Sequence, residues 1–167
     1  DHGGLLYDPQ NPAEGEKTLA LINQMIEDLT GDYWDSSESR LGRTWHDDMI
    51  WFGPAGIGAT YTRERYRKQH QGPFRDHLKD IVYNGHVCRF AEGHFGGFFG
   101  WANLSMQTGG NFMGLPASDY PTEMRVVDIY RRDGDKLSEN WIFIDILHFL
   151  SLQGLDVLDR MKGILRT

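Results

Sequence analysis

The segment "TEMRVVDIYRRDGDKLSENWIFID", residues 122–145, is the part of the chain on which the fold prediction rests. Its two halves alternate apolar and polar residues, as strands with one buried face do. Asp133-Gly134 separates the halves, and an Asp-Gly pair in this position is a strong signal for a two-residue hairpin loop. The sequence therefore predicts an antiparallel hairpin in which Arg132 pairs with Asp135.

This register assigns the side chains to two faces of the sheet. It places Asp128 opposite Glu139, because side chains alternate along each strand. One predicted face combines aromatic and acidic residues, namely Met124, Val126, Asp128, Tyr130, Glu139, Trp141, Phe143 and Asp145. A carboxylate among apolar rings has a raised pKa, which suits proton transfer near neutral pH. We therefore expect Asp145 and Asp128 to be catalytic, with Trp141 and Phe143 against the substrate.

Structural roles for the same acids stay open at this point. A neighbouring arginine such as Arg125 or Arg131 can pair with Asp128, and Glu139 lies near a hairpin end, where side chains are often solvated. Asp145 precedes an apolar helical segment and can cap it by accepting a hydrogen bond from a backbone N–H.

The segments outside the hairpin predict the rest of the fold. A helix is indicated by Leu19, Ile22, Met25, Ile26 and Leu29, with Gly31 placed to end it. Residues 43–56 predict a strand, and Thr62 is placed to cap a second helix. Residues 81–108 alternate as strands, and the terminal helix is bent near Gly154.

This order predicts an α+β fold in which a cone-shaped, curved antiparallel sheet is covered by helices on its concave face. Glycines within the strands, including Gly96 and Gly97, favour the bends that curl a sheet. Residues 1–13 are predicted to be an irregular lead-in and residues 14–167 a single domain.

A hollow end of the cone would form a pocket for a small hydrophobic or aromatic ligand. The aromatic content of 13% supplies Trp51 and Trp101 for its walls. Tyr66 and His70 share one helix face at i and i+4, so they either pack on the sheet or hydrogen-bond into the pocket.

Composition excludes several other classes of protein. The net charge of −7 argues against nucleic-acid binding, and the single cysteine, Cys88, excludes an internal disulfide. No apolar run approaches the roughly 18 residues of a membrane span, and a cytoplasmic location is the default expectation. His46 and Asp48 share a strand face but have no evident third ligand, so no metal is predicted. The glycine-rich residues 53–66 lack both the P-loop lysine and the dinucleotide fingerprint, so no cofactor is predicted.

The last part of the chain resembles the C-terminal signature of SnoaL-like polyketide cyclases. The matching residues are Asp133-Gly134, Lys136-Leu137, Glu139, Trp141, Asp145 and Gln153-Gly154. The chain departs from the signature by an inserted Asp135 and by the lack of a Leu between Gln153 and Gly154. Residues 51–58, 66–74 and 114–132 contain segments that resemble the family's middle part, and the likeness covers roughly residues 15–160.

The resemblance implies the fold of nuclear transport factor 2-like (NTF2-like) proteins and ketosteroid isomerases. It also implies an enzyme that needs no metal or cofactor and closes a ring of a polyketide-type ester by an aldol reaction, with one aspartate as acid and base. Asp145 or Asp128 would carry that role. The family's helper histidine has no counterpart between Thr122 and Trp141. An isomerase, dehydratase or hydrolase on the same fold is the alternative, as is a non-catalytic ligand-binding or dimerisation module, and we expect a homodimer or tetramer.

Overall fold

A seven-stranded sheet forms the frame of the computed structural model, which describes residues 8–30 and 38–165. The strands are β1 (Trp45–Phe52), β2 (Ala59–Tyr61), β3 (Leu78–Tyr83), β4 (Cys88–Glu92), β5 (Phe95–Thr108), β6 (Thr122–Asp133) and β7 (Lys136–Ile144). Their order is β2-β1-β7-β6-β5-β3, and β4 pairs with the first part of β5. The predicted α+β fold is confirmed, although β1 and β7 pair in parallel within a sheet that was predicted to be antiparallel.

The helices cover one face of this sheet. They are α1 (Pro12–Thr30), α2 (Glu38–Thr44), α3 (Arg63–Tyr66), a π-helical turn (Arg67–Gln71), α4 (Gly72–His77), α5 (Ile146–Leu152) and α6 (Val157–Ile164), with a 3-10 turn at Phe112–Gly114. Helix α1 packs on β4 and β5, α3 on β1, and α5 on β6. No helix within residues 8–30 and 38–165 is both long and apolar enough to cross a membrane.

Local sequence signals account for the helix bounds. The predicted apolar face of α1 is confirmed, since Ile22 and Met25 are buried. The predicted end at Gly31 and residues 1–7 lie outside the described residues, and α1 begins at Pro12, two residues before the predicted domain boundary. The Thr62 hydroxyl accepts a hydrogen bond from the Arg65 N–H at 3.3 Å, which confirms the predicted cap.

The hairpin forms, but its predicted register is wrong. Asp133 pairs with Lys136, so the two loop residues are Gly134 and Asp135, and Gly134 supplies the positive φ of +61° that the loop needs. This shift alone would leave the facing of the side chains unchanged. Ser138, however, is an extra residue that forms a bulge, and beyond it Arg131 pairs with Glu139.

The bulge reverses the facing of β7. On the inner face, next to Val126 and Asp128 of β6, lie Asn140, Ile142 and Ile144. Trp141 and Phe143, which the predicted register turned inward, are on the outer face of the sheet. A slip of one residue has this effect because the side chains of a strand alternate with a period of two.

The hydrophobic core fills the space between the inner face and the helices. Its largest fully buried side chains include Trp51, Phe149, Ile22 and Met124. Arg132 lies at one edge of this layer and donates from Nε to the Thr18 hydroxyl at 2.9 Å, which ties α1 to the hairpin. The same layer contains a cavity.

Candidate active site

A cavity of about 130 Å³ lies between the inner face of the sheet and the helices α1, α3 and α4. Its walls are strongly aromatic and include Trp45, Trp51, Tyr66, Phe74, Tyr83, Phe98 and Tyr130. Ligand pockets typically combine such apolar walls with a few polar groups. The polar side chains at this cavity are Thr30, His70, Gln71, Arg75, Asn103, Asp128 and Asn140, together with the tyrosines.

Asp128 is the acid of this cavity and is only 5% exposed. Burial raises the pKa of its carboxyl to about 7, although hydrogen bonds from Asn140 and Tyr130 act in the opposite direction. The Asn140 amide donates to Oδ1 of Asp128 and also to the Ile129 carbonyl at 3.1 Å. A carboxyl with this pKa exists in both protonation states near neutral pH, so it can take a proton and return it.

Two tyrosines flank Asp128 as protonated phenols. Burial raises the pKa of Tyr130 and of Tyr66, and the negative charge of Asp128 raises both further. Tyr66 also has a side-chain hydrogen bond with Gln71. Both rings lie near Trp45, with centroid distances of 6.4 Å for Tyr66 and 5.8 Å for Tyr130. Neutral phenols in a buried site can donate hydrogen bonds to an oxygen on which negative charge develops.

His70 contributes a neutral wall of the cavity. Its ring stacks on Trp51 with a centroid distance of 3.9 Å and an interplanar angle of 19°. Burial lowers the pKa of His70 to about 4, so the imidazole is uncharged at neutral pH. Of the ligand-contacting residues expected from the sequence, Trp51, Tyr66 and His70 line the cavity.

The other three predicted substrate-contacting residues do not line it. Trp101 and Phe143 are 56% and 61% exposed, and Arg125 lies over the Trp101 ring at 5.0 Å. Trp141 stacks on Phe52 at 5.5 Å on the outer face. The prediction that they line the pocket is wrong, because the Ser138 bulge reverses β7 and because Trp101 is on the exposed side of β5.

The second predicted catalytic acid, Asp145, also lies outside the cavity. It is the N-cap of α5, and its Oδ1 accepts a hydrogen bond from the His148 N–H at 3.0 Å. This is the capping alternative that the sequence left open. Glu139 does not approach Asp128 either, because it pairs with Arg131 at 2.7 Å on the outer face.

Several cavity residues were missed by reasoning from the sequence. Asn140 was assigned to the wrong face by the predicted register, and its contact with Asp128 depends on the bulge. Gln71 and Trp45 carried no recognisable motif. Gln71 reaches the cavity because the chain makes a π-helical turn, in which the Gly72 N–H donates to the Arg67 carbonyl. Pro73, which has no N–H, follows that turn and gives a local signal for the irregularity.

Comparisons with known proteins identify the fold. No family model matches the sequence, and no curated protein matches it. Among solved structures, a candidate SnoaL-like polyketide cyclase from Jannaschia sp. CCS1 matches with a TM-score of 0.67 and 16% identity, over 90% of this chain and 98% of that chain. An NTF2-like protein from Burkholderia xenovorans LB400 matches with a TM-score of 0.62 and 12% identity, over 83% and 96% of the two chains.

A third similar structure contains a small ligand. It is a hypothetical protein with a ketosteroid isomerase-like fold from Catenulispora acidiphila DSM 44928, in complex with trimethylamine. It has a TM-score of 0.59 and 12% identity, over 81% of this chain and 92% of that one. The chain therefore has the NTF2-like fold, and the expected likeness to SnoaL-like cyclases is confirmed at the level of the fold.

Proposed function

We propose that the protein is a small-molecule enzyme in which Asp128 moves a proton at the carbon next to a carbonyl group. The observation that carries this proposal is the position of Asp128, a buried carboxyl with a pKa raised to about 7 on the wall of an aromatic cavity. Desolvation of a charged carboxylate is costly. Buried carboxyls with strongly shifted pKa values are therefore found more often at functional sites than at sites that only support packing.

The reaction begins when ionised Asp128 removes the proton from the carbon next to the carbonyl. The electron pair of the broken C–H bond forms an enolate, and the Tyr66 hydroxyl donates a hydrogen bond to its oxygen. In an aldol ring closure the enolate carbon then attacks a second carbonyl of the same molecule. The resulting alkoxide takes the proton back from Asp128, so the acid is regenerated as a base.

The substrate class follows from the resemblance and from the walls of the cavity. Aldol cyclisation of a polyketide-type ester is the reaction that the SnoaL-like signature implies, and the similarity of the fold supports it. The aromatic walls suit a flat, apolar ring system. Isomerisation uses the same first step and differs in returning the proton to another carbon.

Hydrogen exchange at the substrate carbon tests this proposal without knowledge of the natural product. We suggest incubating α-tetralone and a set of cyclic β-keto esters with the protein in D2O and following loss of the α-proton signal by NMR. The wild type should accelerate exchange, and Asp128→Asn should reduce the enzymatic rate by roughly 100-fold or more, which is the usual contribution of a general base.

Asp145→Asn is the matched control, because it changes the other predicted acid and Asn is also a good helix cap. Its exchange rate should equal that of the wild type. Equal rates in Asp128→Asn and wild type, with both proteins folded, would show that Asp128 is not the base. Exchange no faster than in buffer for every compound in the set would remove the enzymatic proposal altogether.

We also infer that two copies associate through the outer face of the sheet. Phe99, Val127 and Phe143 lie side by side across β5, β6 and β7, and the two phenylalanines are 41% and 61% exposed. Phe90 lies against Phe99 at 5.5 Å and extends the row. Contiguous exposed apolar surface of this kind favours association, and the homo-oligomer expected from the sequence remains a prediction.

A further inference from the structure

Several buried polar atoms at the cavity wall have no role in the proposed proton transfer, among them one each on Trp45, Gln71 and Asn103. The indole Nε1 of Trp45 and the amide Oε1 of Gln71 find no hydrogen-bond partner among the described residues. Trp45 is 2% exposed and Gln71 8% exposed, so neither atom is satisfied by bulk water. Leaving a buried donor or acceptor unpaired is unfavourable, so both positions favour a ligand that supplies the missing partner.

Both residues are neighbours of Tyr66. The Trp45 ring is 6.4 Å from the Tyr66 ring, and Gln71 has a side-chain hydrogen bond with the Tyr66 hydroxyl. The two atoms also have opposite requirements. An indole N–H can only donate, so it needs an acceptor such as a carbonyl oxygen, whereas an amide oxygen needs a donor such as a hydroxyl group.

We propose that Trp45 and Gln71 form a polar subsite that selects a ketone carrying a hydroxyl group. The carbonyl oxygen accepts from Trp45 Nε1 beside Tyr66, and the hydroxyl group donates to Gln71 Oε1. Both residues line the cavity, and the two atoms themselves are buried. The terminal torsion of a glutamine side chain is soft, so a small rotation of the Gln71 amide brings Oε1 to the ligand.

The π-helical turn is what makes Gln71 available for this role. A regular helix would continue the i→i+4 pattern, but here the Gly72 N–H reaches back five residues to Arg67. Gln71 is the last residue of this turn and is buried, and it directly follows His70, whose ring stacks on Trp51. Single π turns in helices are frequently associated with functional sites.

Binding of three related ketones tests the subsite. The probes are α-tetralone, a phenol-bearing α-tetralone and the methyl ether of that phenol, with affinities measured by calorimetry. The ether keeps the size of the phenol and loses the donor. In the wild type the phenol should bind roughly tenfold more tightly than the ether, the usual value of one hydrogen bond in a buried site.

Two variants test whether Gln71 Oε1 binds the hydroxyl group and whether Trp45 Nε1 binds the carbonyl oxygen. Gln71→Met removes the acceptor at nearly constant volume, so the phenol and its ether should then bind equally while α-tetralone is little affected. Trp45→Phe removes the N–H and keeps an aromatic ring. It should weaken all three ketones by a similar factor and leave the ratio of phenol to ether unchanged.

The inference rests on the proposed function for its choice of ketones, but the two can fail separately. Asp128→Asn should stop hydrogen exchange and keep the preference for the phenol. If the wild type does not accelerate hydrogen exchange but still binds the phenol more tightly than its ether, only the catalytic proposal is rejected. An equal affinity for phenol and ether in the wild type, an unchanged ratio in Gln71→Met, or no binding of any of the three ketones would overturn the subsite.

Discussion

Replacing Asp128 with Asn should change how the stability of the protein depends on pH. Burial raises the pKa of Asp128 from 3.8 to about 7 in the folded state. Between these values the unfolded chain has lost the proton and the folded chain still holds it, so folding becomes less favourable as the pH rises. The stabilising effect is complete below pH about 4 and is lost as the pH passes about 7.

The expected size follows from the two pKa values. A difference of one pKa unit corresponds to about 1.4 kcal/mol, so the interval from 3.8 to about 7 corresponds to about 4 kcal/mol. The amide side chain of the Asp128→Asn variant would be neutral at every pH and would keep an oxygen to accept the hydrogen bond from Asn140. An effect of the substitution that does not depend on pH cancels, because the test uses only how the difference in unfolding free energy changes with pH.

Urea unfolding of wild type and Asp128→Asn across this pH interval measures the effect. The free energy of unfolding of the wild type minus that of the variant should fall by about 4 kcal/mol between pH about 4 and pH about 8. A carboxyl carbon signal that titrates near neutral pH in NMR spectra should be present in the wild type and absent in the variant. A difference that stays flat, or that rises with pH, would show that burial does not dominate the pKa of Asp128.

Four further outcomes follow from the positions of individual residues. His70, whose pKa burial lowers to about 4, should show no NMR titration above pH about 5, and its contribution to stability should be lost as the pH falls from 6.5 through about 4. Trp51→Ala should cost about 3–5 kcal/mol of unfolding free energy, whereas Trp101→Ala, at an exposed position, should cost less than about 1 kcal/mol. Asp145→Ala should lower stability by about 1 kcal/mol through loss of the α5 cap, and Asp145→Asn should restore most of it. Sedimentation should give a dimer or tetramer mass for the wild type and a smaller mass for Phe143→Lys, and a monomeric wild type would contradict the proposed interface.

Much of the fold could be predicted because its signals are local. The apolar spacing in α1, the Thr62 cap and the Asp-Gly loop each depend on residues a few positions apart. The alternation in β6 correctly placed Val126, Asp128 and Tyr130 on one buried face, since that strand runs without a bulge between them. These local features, together with the order of elements, were sufficient to predict the curved sheet and its helical cover.

The candidate site was only half predictable, and the reason is the Ser138 bulge. One extra residue in β7 exchanges its two faces, so Trp141 and Phe143 point outward and Asn140 points to Asp128. A serine within an alternating segment gives no sequence signal for a bulge. Its presence depends on how β7 fits simultaneously to β6 and to the parallel strand β1, which comes about ninety residues earlier in the chain.

The sequence by itself determined the main helices and strands, the fold class and a buried acid in the right strand. The tertiary structure alone decided which of the acids meets the cavity and which partners it has there. Asp128 shares the cavity wall with Tyr66, Tyr130 and Asn140, which come from three separate elements, and burial of its carboxyl in the packed chain raises its pKa. Burial depends on how the whole chain packs, so it cannot be predicted from a short stretch of sequence.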